Sequence, residues 1–153
     1  MSTPSKPFEV LLVDDNVPDI ELLKFLFGKC GIPIHFQCAF DGTEASDLIF
    51  GRQKYAERPL PDLILLDLNL PKKDGKEVLQ EIKAAPELCK IPVIMLSSSS
   101  SQLEIAEAYC LGANAFISKP PDIAEFQTII NALADFWFRR VDLPSHPPHK
   151  SRR

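Results

Sequence analysis

Short apolar runs alternate along the chain with longer stretches in which apolar residues recur every three or four positions. The short runs predict strands, and the longer period predicts amphipathic helices. Turn and cap residues separate the two kinds of segment: Pro18 suits a helix start, Gly31 a helix end, and Asp41-Gly42 a turn. The predicted strands cover residues 9–14, 34–39, 63–68, 91–96 and 115–118, and the predicted helices cover 17–30, 43–55, 75–85, 102–111 and 123–140.

These elements form five consecutive βα units, which predicts an α/β fold. The strands at 9–14, 63–68 and 91–96 are apolar on both sets of alternate positions, as expected when helices cover both faces of a parallel sheet. We therefore expect a five-stranded, doubly wound sheet in the order 2-1-3-4-5 within one domain, residues 8–140. Residues 1–7 and 141–153 are proline-rich and lack periodicity, so we expect mobile tails there.

Composition narrows the class of protein. A chain of 153 residues with 45% hydrophobic content suffices for one core, and a net charge of −4 disfavours nucleic acid and anionic membranes as partners. No apolar run approaches the roughly 18 residues that span a bilayer, and the opening MSTPSKP lacks the apolar core of a secretory signal. The four scattered cysteines fit reduced thiols. These features predict a cytoplasmic protein.

Charged and hydroxyl side chains stand where several predicted strands end. Asp14 and Asp15 end the first strand, Asp67 the third, Ser97 the fourth and Lys119 the fifth. In the order 2-1-3-4-5, strands 1 and 3 are neighbours at the reversal of strand order, so the carboxylates converge there. Converging carboxylates need shared protons, a lysine or a hard cation such as Mg²⁺. A single Asp in such a place is usually a turn former or helix cap, but the whole set favours a site.

Acids, a hydroxyl, an ammonium and a cation together suit phosphoryl transfer to a carboxylate, with Asp67 as the nucleophile. The chain at this point resembles the response-regulator receiver family. The resemblance rests on VDDN after strand 1, LLDLNLPKKDG after strand 3, Ser97 after strand 4 and KP after strand 5. It covers roughly residues 8–140 and implies the flavodoxin-like receiver fold with five helices.

The resemblance also implies a role for each site residue. Asp67 would accept the phosphoryl group, and Mg²⁺, for which Mn²⁺ substitutes, would be bound by Asp15, Asp67 and the backbone carbonyl of Asn69. Asp14 would orient the metal's waters. Lys119 would bind a phosphate oxygen, while Ser97 and Phe116 would form the switch that responds to phosphorylation. On this reading the protein is a signalling domain rather than an enzyme, and whether the Lys119–Pro120 peptide bond is cis, as in many relatives, stays open.

Within the family, the chain most resembles the stand-alone receivers that serve bacterial and cyanobacterial phytochrome histidine kinases. The resemblance lies in DDNVPDIELLKFLF, the long stretch 51–62, IPVIMLSSS and the terminal FWF. It implies a sensor histidine kinase as partner, an unidentified downstream protein and no DNA-binding output domain. Asp14 departs from those relatives, which often carry Glu there, and this leaves the particular kinase open. A phosphorelay or motility receiver unrelated to phytochrome is the alternative within the family.

Two other classes of protein compete with this reading. A phosphatase of the haloacid dehalogenase type also forms an aspartyl phosphate, but its nucleophile follows the first strand, and its second acid would stand at Asn69. A flavodoxin-like flavin carrier would need a hydroxyl- and glycine-rich loop after strand 1, where DDNVPD instead presents carboxylates that repel phosphate.

The last predicted helix ends in three consecutive aromatic residues. Phe126, Ile130, Leu133 and Trp137 recur with helical spacing and define the face directed to the core. At about 100° per residue, Phe138 falls outside that stripe. A single exposed aromatic at a helix end is one explanation. The resemblance to phytochrome-associated receivers, which commonly dimerise through the face of helix 4, strand 5 and helix 5, favours a homodimer instead, with Phe138, Trp137 and Tyr109 at the interface.

Overall fold

A computed structural model describes residues 6–98 and 101–146. Strands and helices alternate along the chain as predicted: β1 (Phe8–Val13), α1 (Val17–Gly28), β2 (Ile34–Ala39), α2 (Gly42–Ile49), β3 (Leu63–Leu66), α3 (Gly75–Ala84), β4 (Val93–Ser97), α4 (Gln102–Cys110), β5 (Ala115–Ser118) and α5 (Ile123–Asp135). The five strands form one parallel sheet in the order β2-β1-β3-β4-β5, which confirms the predicted topology.

Alternate residues of each central strand enter different hydrophobic clusters, one on each face of the sheet. In β1, Leu11 and Val13 pack with residues of α2 and α3, whereas Val10 and Leu12 pack with residues of α1 and α5. This two-sided burial is why the central strands read as continuous apolar runs. No helix in the two described ranges has the length and apolar character needed to cross a bilayer.

Each helix begins at a polar residue whose side chain accepts a hydrogen bond from the first turn. These N-cap residues are Asn16, Asp41, Asp74, Ser101 and Asp122. The predicted second helix is too long: α2 ends at Ile49, because Gly51 follows with a φ of +67°, outside the helical region. A short 3₁₀ turn, Gln53–Tyr55, forms the last three residues of the predicted segment.

The C-terminal aromatic residues depart from a regular helix. The α-helix ends at Asp135 and continues as a π-helical turn, Phe136–Arg140, closed by a hydrogen bond of 3.1 Å from the Val141 N–H to the Phe136 carbonyl. The wider turn changes the direction of the side chains. Phe138 is only 9% exposed and its ring centroid lies 4.5 Å from that of Phe8. The prediction that Phe138 faces a dimer partner is therefore wrong, and it is Phe136 that is exposed, at 52%.

Residues 141–146 lie against the edge of the sheet where the strands begin, a contact that the sequence does not indicate. Leu143 packs beside the cluster of α1 and α5. The imidazole Nε2 of His146 lies 3.0 Å from the Pro61 carbonyl oxygen, and Lys90 Nζ donates to the Ser145 carbonyl at 3.1 Å. The mobile tail predicted from residue 141 therefore differs from the structure at 141–146, while residues 1–5 and 147–153 lie outside the described part of the chain.

Candidate functional site

The carboxyl ends of β1 and β3 are adjacent in the sheet and bring three carboxylates together. The Asp67 N–H donates to the Val13 carbonyl at 2.9 Å, which places the end of β3 beside Asp14 and Asp15. One carboxylate oxygen from each of Asp14, Asp15 and Asp67 lies within 4.8 Å of the others. Asp14 and Asp67 are 3% and 7% exposed, whereas Asp15 is exposed. The convergence predicted from the strand ends is present.

The backbone at the start of α3 packs closely against the backbone of Asp67. A Cβ atom at Gly75 would lie 2.2 Å from the Asp67 carbonyl oxygen, so only glycine permits this approach. The Asn69 N–H donates to Asp67 Oδ1 at 3.4 Å. Burial raises the pKa of the Asp67 carboxyl; the Lys119 ammonium opposes the shift and the Asp14 carboxylate adds to it. The net effect is a raised pKa, so the folded protein disfavours the charged form of Asp67.

Lys119 lies among the acids. Its Nζ is 2.5 Å from Asp14 Oδ2, 3.0 Å from Asp19 Oδ2 and 3.7 Å from Asp67 Oδ2. Burial acts to lower the pKa of Lys119, but hydrogen bonds to Asp14 and Asp19 and the nearby carboxylate charges outweigh it, and the pKa is raised. The ammonium therefore stays charged and offsets part of the negative charge.

Asp19 is a site residue that the sequence reading missed. It lies in the first turn of α1, where its backbone N–H donates to the Asn16 side chain at 3.2 Å, an ordinary helix-cap contact. Its carboxylate bonds to Lys119, 100 residues away in the chain. The available signal was a carboxylate in the first turn of the helix that starts directly at the site.

Ser97 and Lys119 lie side by side at the ends of β4 and β5. The Lys119 N–H donates to the Ser97 carbonyl at 2.8 Å, and Ser97 is fully buried. The Lys119–Pro120 peptide bond is trans.

Phe116 lies further back on β5 and is partly buried, packed against the cluster on the side of α2 and α3. Its backbone N–H donates to Tyr109 Oη of α4 at 3.1 Å. The structure thus places Ser97 and Lys119 with the acids and Phe116 on the strand that leads to them.

The donor set fits a hard divalent cation. The three converging carboxylates present oxygen ligands, which Mg²⁺ and Mn²⁺ prefer, and the single Lys119 ammonium leaves the cluster with excess negative charge. Asp14, Asp15 and Asp67 would hold the ion. Asn69, predicted to contribute its backbone carbonyl, lies exposed two residues beyond Asp67.

A doubly wound parallel sheet with acids at its reversal point and a lysine at the end of its last strand defines the class of this protein. The chain belongs to the response regulator receiver domain family, whose sequence pattern it matches over residues 10–131. It is thus a receiver domain of a two-component signalling system.

The particular relatives are response regulators, and RcpA among them is a phytochrome response regulator. Response regulator Rcp1 of Synechocystis is 36% identical over 146 residues, which are 95% of this chain and 99% of Rcp1. The phosphorylated cyanobacterial phytochrome response regulator RcpA superposes with a TM-score of 0.88 at 39% identity, over 92% of this chain and 100% of RcpA. The Mn²⁺-bound form of Rcp1 superposes with a TM-score of 0.86 at 35% identity, over 91% of this chain and 100% of that one. The predicted fold and the likeness to phytochrome response regulators are confirmed.

Proposed function

We propose that Asp67 accepts a phosphoryl group in a metal-dependent reaction and that the protein signals through the resulting conformational change. The observation that carries this proposal is the position of the Asp67 carboxylate, within 4.8 Å of two further carboxylates and 3.7 Å from the Lys119 ammonium. A nucleophile in this setting has opposite charge available both for itself and for an incoming phosphoryl group.

In the transfer step, an Asp67 oxygen attacks phosphorus as the phosphorus–nitrogen bond of a donor phosphohistidine breaks. The donor imidazole leaves with the electron pair of that bond and takes up a proton, while Asp67 becomes an acyl phosphate. A bound Mg²⁺ or Mn²⁺ supplies positive charge for the acceptor and the phosphoryl oxygens. That RcpA is described as phosphorylated and Rcp1 as Mn²⁺-bound supports this proposal for their relative.

Lys119, Ser97 and Phe116 then link the acyl phosphate to the rest of the fold. Lys119 Nζ lies close enough to Asp67 to exchange a carboxylate partner for a phosphoryl oxygen. Ser97 ends the neighbouring strand β4 and would donate its hydroxyl to the phosphoryl group. Phe116, further back on β5 and paired in register with Met95, would move with that strand as the switch residue.

The proposed phosphodonor is a sensor histidine kinase of the phytochrome type. The support is the likeness to Rcp1 and RcpA, which extends over nearly the full length of both. We propose a cytoplasmic location and a non-enzymatic signalling role on the same grounds. A receiver in another phosphorelay or motility system is the alternative, and transfer rates from a panel of phosphorylated kinases would separate the two.

The test is metal-dependent labelling. A phosphorylated histidine kinase or a small phosphodonor should label the wild type once, in the presence of Mg²⁺ or Mn²⁺. Asp67→Asn should abolish labelling because the nucleophile is lost, and Asp47→Asn, on α2, should leave it unchanged. Persistent labelling of Asp67→Asn, or labelling in excess chelator, would contradict the proposal, and sustained hydrolysis of a phosphate ester would instead favour a phosphatase.

A further inference from the structure

The loop between β3 and α3, residues 69–74, lies against the first turn of α2. The Gly42 N–H donates to the Pro71 carbonyl at 3.2 Å, and Lys72 Nζ lies 3.5 Å from Asp41 Oδ2. A Cβ atom at Gly42 would lie 1.8 Å from the Lys73 carbonyl oxygen, far inside contact distance. The loop can occupy this place only because residue 42 has no side chain.

A group of three polar side chains ties the same loop to α2 and α3. Lys73 Nζ lies 2.8 Å from Glu81 Oε2 of α3 and donates to Ser46 Oγ of α2 at 3.2 Å. Ser46 Oγ donates to Glu81 Oε1 at 2.5 Å, and Ser46 is only 1% exposed. Burial acts to raise the pKa of Glu81, but the hydrogen bonds from Lys73 and Ser46 outweigh it and the pKa is lowered, so the carboxylate stays charged and bonded.

The loop also holds an unfavourable backbone conformation. Among the described residues, Lys72 alone is a non-glycine residue with positive φ, at +68°. Such a conformation persists where the surrounding contacts determine it, and it is found most often at functional sites. The residues on either side of Lys72 are held by the contacts of Gly42 and of the three polar side chains. These contacts stabilise the conformation of Lys72.

The loop connects directly to the acceptor. It begins at Asn69, two residues after Asp67, and it ends at Asp74, directly before Gly75 of α3, which packs on the Asp67 carbonyl. We propose that Gly42, Ser46, Lys73 and Glu81, the loop clamp, act as positioning residues that hold Asp67 and Asn69 in the geometry that binds the divalent cation. This inference rests on the proposed function, because it concerns the same metal and acceptor site.

The first test compares two glycine substitutions. Gly42→Ala should push the loop away from α2 and weaken Mn²⁺ binding about tenfold, as expected when residues that orient metal ligands are changed. Gly28→Ala is the matched control, since a Cβ there meets nothing within 4 Å, and it should bind Mn²⁺ as the wild type does. Free Mn²⁺ is measured by electron paramagnetic resonance during titration, and urea unfolding in chelator reports whether each variant folds.

A second pair of variants covers the case in which Gly42→Ala does not fold. Lys73→Met removes the clamp ammonium, and Lys76→Met removes a neighbouring ammonium that pairs instead with Glu107 of α4 at 2.9 Å. Loss of a positive charge near an acidic site by itself strengthens cation binding. Lys76→Met should therefore bind Mn²⁺ at least as tightly as the wild type. Weaker Mn²⁺ binding by Lys73→Met, together with shifted amide resonances of Asn69, would then show that Lys73 positions the metal site.

The outcomes separate the two proposals. A folded Gly42→Ala or Lys73→Met variant with wild-type Mn²⁺ affinity would overturn the positioning role, even if its free energy of unfolding were lower, and would leave the proposed function standing. A wild type that does not bind Mn²⁺ would overturn both.

Discussion

Asp67 combines two opposing requirements, since it must be ionised to act as a nucleophile while its burial raises the pKa of the carboxyl. The unfolded chain therefore loses this proton at a lower pH than the folded protein does. Between the ordinary pKa near 3.8 and the higher pKa of the folded protein, a rise in pH therefore lowers the free energy of unfolding. Above the folded pKa this loss of stability stays constant.

This linkage predicts that Asp67→Asn stabilises the metal-free protein. Its free energy of unfolding at neutral pH, measured by urea titration in chelator, should exceed that of the wild type, and the difference should shrink as the pH falls towards the ordinary pKa. Glu87→Gln, a change at an exposed acid, serves as control and should show little difference. A less stable Asp67→Asn variant at neutral pH would show that the Lys119 contact outweighs the burial cost.

Asp19 gives a second prediction for a single residue. Its carboxylate accepts a hydrogen bond of 3.0 Å from Lys119 Nζ and contributes to the raised pKa of that lysine. Asp19→Asn should therefore lower the pKa of Lys119 in the metal-free protein, as followed by carbon-detected NMR titration of the lysine side chain. Glu21→Gln, on the exposed side of α1, should leave it unchanged, and an unaltered Lys119 pKa in Asp19→Asn would exclude Asp19 from the site.

Among the elements, the end of α5 shows how one irregular turn reverses the roles of neighbouring aromatic residues. Phe138 packs on Phe8 in the core, and Phe136 is 52% exposed. Phe138→Ala should cost about 3 kcal/mol of unfolding free energy because it leaves a cavity. Phe136→Ala, the matched control, should cost about 0.5 kcal/mol or less. Equal costs in urea unfolding would contradict the π-helical turn.

For the molecule as a whole, residues 141–146 extend the packed structure beyond the last helix. Deletion of residues 141–153 would remove Leu143 from its apolar contacts and His146 from Pro61. We expect this deletion to cost about 1 kcal/mol, less than full burial of an apolar side chain contributes, because Leu143 is only partly buried. Deletion of residues 147–153 alone keeps these contacts and serves as control. Thermal unfolding at the same temperature for both variants would contradict a packed segment.

The homodimer remains a prediction, now without Phe138. Of the residues assigned to the interface, Tyr109 is 49% exposed and Trp137 is partly buried. Light scattering at tens of micromolar should give the mass of a dimer, and Tyr109→Glu should give that of a monomer because a buried carboxylate at the interface is unfavourable. Val17→Glu, on α1 at 53% exposure, should not change the mass. A monomeric wild type, with or without phosphorylation, would exclude the dimer.

The topology and most of the site could be predicted from the chain because they depend on local patterns. The strand at 34–39 was predicted with its observed bounds, since a short run between turn residues needs no distant partner to be recognised. Asp14, Asp15, Asp67, Ser97 and Lys119 all lie at the carboxyl ends of strands, and in a parallel sheet these ends share one edge. Once the strand order was assigned, their convergence followed from geometry.

Other features of the fold and the site depend on contacts between residues far apart in the chain, and the periodicity of the sequence does not predict such contacts. Asp19 reads locally as a first-turn acid and becomes a site residue only through Lys119. Phe138 is buried because a π-helical turn redirects it onto Phe8, and the helical period of the sequence assumes a regular turn. Lys73, Ser46 and Glu81 meet only when α2, α3 and the loop have packed. Local propensity determines which elements form, and close packing of the finished elements determines which of their side chains meet.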